Sequence, residues 1–274
     1  MDERENLEHW QLEECAAESY ERYFVVPFYA HEAQNLTELA ALRAGEHVLD
    51  LACGTGIVAR TAAVKVGSNG MVVGLDRNES MLAVARRASV DISPPIKWQQ
   101  GEAHNTPFPD STFGVVFCQQ GFQFFLDRSS ALRETHRVLA PNGRLALSVL
   151  RPSKHNPEYN LFADVLERRA GPDAGIMVRS TFLPLRIDDL RRLFKIAGFQ
   201  DVRILIGIGP VRYPSVNEFL HREMAGSPLA RQIKSWSDDL FRTIIQDLEV
   251  ALEAYIDDDG IIFPAETYFA IAYK

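Results

Sequence analysis

The sequence predicts an α/β protein: a doubly wound, mostly parallel sheet with helices on both faces. Short apolar runs of strand type alternate with longer stretches whose apolar residues recur at helical spacing, the order that builds βαβ units. The first run, His47-Val48-Leu49-Asp50-Leu51, breaks into the glycine turn Ala52-Cys53-Gly54-Thr55-Gly56. A second run closes on Asp76, twenty positions after Gly56.

In chain order, the pattern opens with helices over 8–24 and 31–43. Strand 46–51 reads as buried, since Val48, Leu49 and Leu51 leave only Asp50 polar. Helix 56–66 follows the glycine turn, then strand 71–76 and helix 78–89, which carries Met81-Leu82-Ala83-Val84-Ala85-Arg86. Strands 96–100 and 113–118, helix 128–139 and strand 143–150 continue the alternation. Beyond Leu150, a helix through Asp188-Asp189-Leu190 is stopped by Gly198 and feeds a strand at 201–208, and a last strand covers 267–273. The stretch between them is helical around 215–225 and 229–256. The chain thus divides into an N-terminal helical cap (1–45), a sheet domain (46–207 and 263–274) and a helical lid insertion (208–262).

A chain of 274 residues with 46% hydrophobic content can bury a full α/β core. Its formal charge of −8, from 37 acidic and 29 basic residues with no long basic run, argues against a nucleic-acid partner, because phosphate neutralisation needs a basic face. No span of 18 apolar residues appears, and the acidic start Met1-Asp2-Glu3-Arg4-Glu5 is unlike a signal peptide, so no membrane span and a cytoplasmic location are expected. Cys15, Cys53 and Cys118 form no C-x-x-C pair, so neither a disulfide framework nor a zinc site is signalled.

Glycines let backbone N–H groups approach a ligand, and an acidic residue about 20 positions on can grip a ribose diol, so a nucleoside site is expected at the strand ends. Gly54, Gly56 and Ala59 also fit the G-x-G-x-x-G/A fingerprint of dinucleotide folds, in which a helix N-terminus takes a pyrophosphate. Asp50, four residues before the first glycine, disfavours an anion there. It suits a ligand bearing an ammonium group, as the methionine part of S-adenosylmethionine does.

The motifs continue in order: Gly74-Leu75-Asp76; Gly101-Glu102-Ala103; Pro107-Phe108-Pro109-Asp110 leading to Phe113-Gly114-Val115-Val116; and Leu132-Arg133-Glu134 running through Pro141-Asn142-Gly143 to Leu145. Over about residues 46–150 the chain resembles the class I S-adenosylmethionine-dependent methyltransferases, particularly the small-molecule branch of ubiquinone-biosynthesis and sterol-type enzymes. Gly114 and Glu102 depart from that pattern, where Asp is common, and Asn142 replaces a frequent Gly. The resemblance implies a Rossmann-like sheet of seven strands with the last strand antiparallel, and S-adenosylmethionine as cofactor. It also implies the site: Asp50, Ala52 and the Gly54-Thr55-Gly56 turn at the methionine end, Asp76 on the ribose, Arg77 and Met81 on the adenine side, Gly101, Glu102 and Ala103 at the adenine edge, and Gln119 at the ammonium group. Tyr20 would close the cofactor site.

Helices added at the strand ends can cover the site, so the acceptor pocket is expected beneath cap and lid, lined by Tyr23, Phe28, Phe122 and Phe124, with Trp10 and Phe125 as further candidates. Methyl transfer by in-line displacement needs alignment, a dry site and, for some acceptors, removal of a proton. His155 and His221 are the bases nearest the expected acceptor; His31, His104 and His136 are conceivable on chemistry alone. Gln119-Gln120 supplies no carboxylate for a metal-assisted route, so no metal is expected. The expected function is methyl transfer to a small molecule, with oxygen ahead of carbon or nitrogen. A non-methylating enzyme such as a cyclase, a non-catalytic cofactor-binding protein and a nicotinamide oxidoreductase stay open, as does the oligomeric state.

Overall fold

The computed structural model describes residues 12–182, 185–233 and 235–274, without the side chains of Arg231 and Gln232. Trp10 lies outside the described residues. Five parallel strands, β1 (His47–Leu51), β2 (Met71–Asp76), β3 (Lys97–Gln100), β4 (Phe113–Gln119) and β5 (Leu139–Leu150), run in the order β3-β2-β1-β4-β5. The sheet is completed by β6 (Gln200–Tyr213), the two-residue β7 (Ile256–Asp257) and β8 (Gly260–Tyr273), with β8 antiparallel between β5 and β6. The short β7, which pairs only with β8, is the addition to the seven strands expected.

Period-two alternation divides the central strands between two cores. Leu49, Leu51, Val73 and Leu75 face one side with Leu190 and Phe194. Val48, Val72 and Val115 face the other, against Val58, Ala59 and Ala62 of the helix Ile57–Val66. Asp50 shares the parity of Val48, which aims its carboxylate at the start of that helix; Asp50 pairs in register with Gly74 and Phe117.

The N-terminal segment is a helix at Glu14–Tyr20 that widens into a nine-residue π-helix, Glu21–Tyr29, before the helix Ala30–Leu39. Pro27 sits inside the wide stretch and offers no backbone donor. Spacings of four and five residues lie on one face of a π-helix, so Phe24, Phe28 and Tyr29 all turn inward. Arg60 ties this segment to the sheet through Glu21 at 2.7 Å.

The lid begins later than the sequence implied. β6 and β8 stay paired as far as Tyr213 and Ile261, past the end of β5, so 208–213 and 261–266 form a ribbon that carries the lid helices rather than belonging to the insertion. Those helices are Val216–Ala225, Ala230–Ile233 and Asp238–Ala251, so the expected helix over 229–256 is split. The helices Pro157–Ala170 and Pro172–Arg179, assigned above to the sheet domain, pack in the lid core: Phe162, Leu166 and Met177 share it with Phe219, Leu248 and Phe263. Hydrophobic burial, not position in sequence, decides to which body they belong. Among the described residues no helix is long and apolar enough to cross a membrane.

Candidate functional site

The carboxyl ends of β1, β2, β4 and β5 open on a cavity of about 1100 Å³, roofed by the N-terminal segment and the lid. Its floor is the turn after β1, where Ala52, Gly54 and Gly56 all take positive φ (55°, 55° and 83°). This backbone is fixed from β2: Gly54 N–H donates to Asp76 Oδ2 at 2.7 Å, and Asn78 N–H donates to Oδ1 at 2.8 Å. Asn78 in turn caps the helix Glu79–Ala88, its side chain accepting from Ser80 N–H at 2.9 Å. Tyr20 lies over the turn; a Cβ added to Gly54 would come 3.9 Å from its ring. The Thr55 hydroxyl is buried and has no partner among the described residues, a polar group left for a ligand.

The cavity is acidic. Asp50, Asp76, Glu32, Glu102, Asp127 and Glu223 line it, against Arg77, His31 and His104. Asp50 is 1% exposed and, among the described residues, accepts only from Ala59 N–H at 2.9 Å. Burial pushes its carboxyl up to about 8, with Asp76 adding to the rise and the Ala59 N–H and Arg60 opposing it. Burial also raises Asp76, although backbone donors at Asn78, Gly54 and Arg77 hold its charge. Glu32 is raised by burial too, and accepts from Ser148 Oγ at 2.6 Å and Gln120 Nε2 at 3.0 Å. A carboxylate buried beside another without a cation favours a ligand that brings positive charge.

At the far end of the cavity, Glu223 Oε1 accepts from Tyr213 Oη at 2.6 Å and Tyr159 Oη at 3.1 Å. Burial pushes this carboxyl up to about 7, against the pull of the two tyrosine hydroxyls. Aromatic and aliphatic side chains, among them Phe28, Phe124, Phe182 and Met177, line the space between the two ends.

The Methyltransferase domain family matches residues 49–147, the segment that builds the strands and turn just described. Over residues 49–147, then, the chain is similar to methyltransferase domains. Curated relatives of this domain include the 2-phytyl-1,4-naphtoquinone methyltransferase of Thermosynechococcus vestitus, 45% identical over 38% of this chain and 45% of that protein. The ubiquinone/menaquinone biosynthesis C-methyltransferase of Cellvibrio japonicus is 40% identical over 52% of this chain and 57% of its own length. The chain thus spans about half the length of the curated relatives it matches. Among solved structures, the YcgJ protein of Bacillus subtilis superposes with a TM-score of 0.62 at 19% identity, covering 89% of this chain and 98% of its own. A phosphoethanolamine N-methyltransferase of Haemonchus contortus gives 0.61 at 18% identity over 100% of this chain and 61% of its own, which shows a shared fold.

The fold brings most of the sequence-predicted cofactor residues together: Tyr20, Asp50, Ala52, Gly54, Thr55, Asp76, Arg77, Met81, Gly101, Glu102, Ala103 and Gln119 all line the cavity. Glu102 lies 3.8 Å from Arg77 across the expected adenine edge, and Gln119 Nε2 donates to the Tyr29 carbonyl at 3.0 Å. Gly56 does not line it. Its place is structural: a Cβ there would meet the Trp98 ring at 2.2 Å, and one on Gly74 would meet it at 2.3 Å. Phe28 and Phe124 line the pocket as expected, with Phe125.

Four other expectations are corrected. Phe122, 1% exposed, turns into the sheet core and stacks edge-on with Phe125, because the short turn after β4 is wound inward. Tyr23 faces outward from the π-helix, where Arg22 and Arg222 lie over its ring at 5.2 and 5.5 Å. His155 ends the short helical turn after β5 with its ring nitrogen 3.1 Å from Arg151, and does not reach the cavity. His221 is on the exposed side of its lid helix against Phe241. The i and i+2 spacing of residues 221 and 223 on a helix separates their directions, so Glu223 enters the cavity and His221 leaves it. Glu32, Glu223, Tyr29, Tyr159 and Tyr213 were missed by sequence reasoning; each lies outside a motif, and Glu32 and Glu223 read locally as solvated helix faces.

Proposed function

We propose that this chain transfers a methyl group from S-adenosylmethionine to a small, largely apolar acceptor. The observation that carries this reading is the acidic glycine-turn end of the cavity: Asp50 buried with no ion-pair partner among the described residues, Asp76 clamping the turn, and the Thr55 hydroxyl unpartnered among them. These fit the cofactor's ammonium, ribose and polar groups, whereas a dinucleotide's pyrophosphate would face Asp50. When bound, the sulfonium supplies an already activated methyl group. The chain's part is to seat the methionine end on Asp50, to hold the ribose on Asp76, and to exclude water with Tyr20, Phe24 and the lid.

A cavity of about 1100 Å³ exceeds what one small ligand fills, which leaves room for an acceptor beside the cofactor. The relatives named for phytyl-naphtoquinone and for ubiquinone and menaquinone biosynthesis support an acceptor of quinone-related, ring-bearing type. Transfer to oxygen is the first reading; the C-methyltransferase names favour carbon as the second. Calorimetric titration with S-adenosylmethionine, S-adenosylhomocysteine and NAD tests the cofactor, with tight binding of both adenosyl ligands expected. Mass spectrometry of acceptor incubations then tests the chemistry. A product heavier by one CH2 unit is expected; an isomer of unchanged mass would point to a non-methylating enzyme.

A further inference from the structure

The Glu223 end of the cavity is not used by the cofactor contacts proposed above. Glu223, Tyr213 and Tyr159 come from three elements, the lid helix Val216–Ala225, the β6 ribbon and the helix Pro157–Ala170, and converge on one carboxylate. Both tyrosine hydroxyls donate to the same oxygen, Oε1. Oε2 accepts from none of the described residues, and no cation among them pairs with it; the neighbouring Arg222 is spent on Glu218 at 2.8 Å. Rings surround the group: Phe28 lies 5.5 Å from Tyr213, and Phe182 lies 5.1 Å from Tyr159. Glu223 lines the cavity among these rings, so Oε2 is an acceptor available to a ligand that brings a donor.

We propose that Glu223, positioned by Tyr159 and Tyr213, binds the hydroxyl of the methyl acceptor and receives its proton. This rests on the methyl-transfer reading above and adds the acceptor class: an apolar, ring-sized body carrying a hydroxyl. A hydroxyl brings one donor to the one free oxygen, whereas an arylamine brings two to a site with a single free acceptor among the described residues. Tyr29 connects the two ends, its ring 5.9 Å from that of Tyr20 and its ionisation opposed by both Glu32 and Glu223. In the step, the acceptor O–H bond breaks with its electron pair left on oxygen and its proton passing to the Glu223 carboxylate. The O–CH3 bond forms as the S–CH3 bond breaks, and that electron pair goes to sulfur. Tyr159 and Tyr213 hold the carboxylate in place by donating to Oε1 and are positioning residues.

The test measures binding to the full chain saturated with S-adenosylhomocysteine at pH 8, by calorimetry. The probes are 4-methoxy-1-naphthol, its aminonaphthalene counterpart 4-methoxy-1-naphthylamine, and 1,4-dimethoxynaphthalene, which has no donor. The naphthol is expected to bind about tenfold or more tighter than the dimethoxy compound. In Glu223→Gln that preference falls to unity or reverses, because the amide presents a donor, while S-adenosylhomocysteine affinity stays as in the parent and the melting temperature does not fall below it. Tyr213→Phe should reduce the preference only in part. Equal binding of naphthol and dimethoxy compound by the parent would overturn the proposal, as would a preference that survives Glu223→Gln or a naphthylamine that binds tighter than the naphthol. Failure of the parent to bind S-adenosylhomocysteine strikes the methyl-transfer reading instead, since the probes can still be compared without it.

Discussion

Replacing Asp50 by Asn should stabilise the ligand-free protein and weaken its hold on the cofactor. In the unfolded chain this carboxyl titrates near 3.8; in the fold, burial pushes it up to about 8. Between those values the folded state holds a proton that the unfolded state has released, so stability falls as pH rises from about 4 to 8 and is level above. Four pKa units correspond to a ceiling of about 5 kcal/mol, and water reaching the cavity end reduces what is realised to about 1–3 kcal/mol. Asn keeps the acceptor for the Ala59 N–H and carries no charge. Its melting temperature at pH 8 should therefore exceed the parent's by roughly 2–10 °C, an advantage that vanishes near pH 4.5. Glu32, Asp76, Glu158 and Glu223 are also raised by burial, and taking the difference between variant and parent at each pH removes their shared share. Calorimetry on the same samples should show S-adenosylmethionine binding about 10–100-fold weaker, the loss of a charge-assisted contact. A variant no more stable than the parent at pH 8, or one that binds the cofactor equally well, would refute the reasoning.

Asp76→Ala frees the Gly54 and Asn78 N–H groups together with the ribose contact, so cofactor affinity should fall at least tenfold in a calorimetric titration. Gly74→Ala forces a Cβ to 2.3 Å from Trp98 and should cost about 1–3 kcal/mol in urea unfolding; Trp98→Leu in the same chain should recover part of it, measured as a coupling energy. Phe219, fully buried in the lid core, should cost about 3–5 kcal/mol when cut to Ala, seen as a loss of thermal stability. His155→Ala and His221→Ala should leave turnover within about twofold, because neither side chain reaches the cavity; a larger loss in a mass-detected assay would reinstate a histidine base.

The strand order and the cofactor end of the site were legible in the sequence because both depend on local chemistry. Buried parallel strands must be apolar runs, and a backbone that turns left-handed beneath a ligand needs glycine, so 46–150 announced itself. Even there, Gly56 was misread: it is required by Trp98, forty-two positions on, a contact that no local pattern encodes. The Glu223 end of the cavity was not legible. Glu223, Tyr213 and Tyr159 are ordinary helix and strand residues until the lid folds back over the sheet and removes the water around them. The same folding assigned residues 157–179 to the lid and turned Phe122 inward and His221 outward. Spacing along the chain thus determined the sheet and the glycine turn at the cavity floor. Only the tertiary structure decided what lines the Glu223 end, because side-chain direction and burial there come from packing between segments distant in sequence.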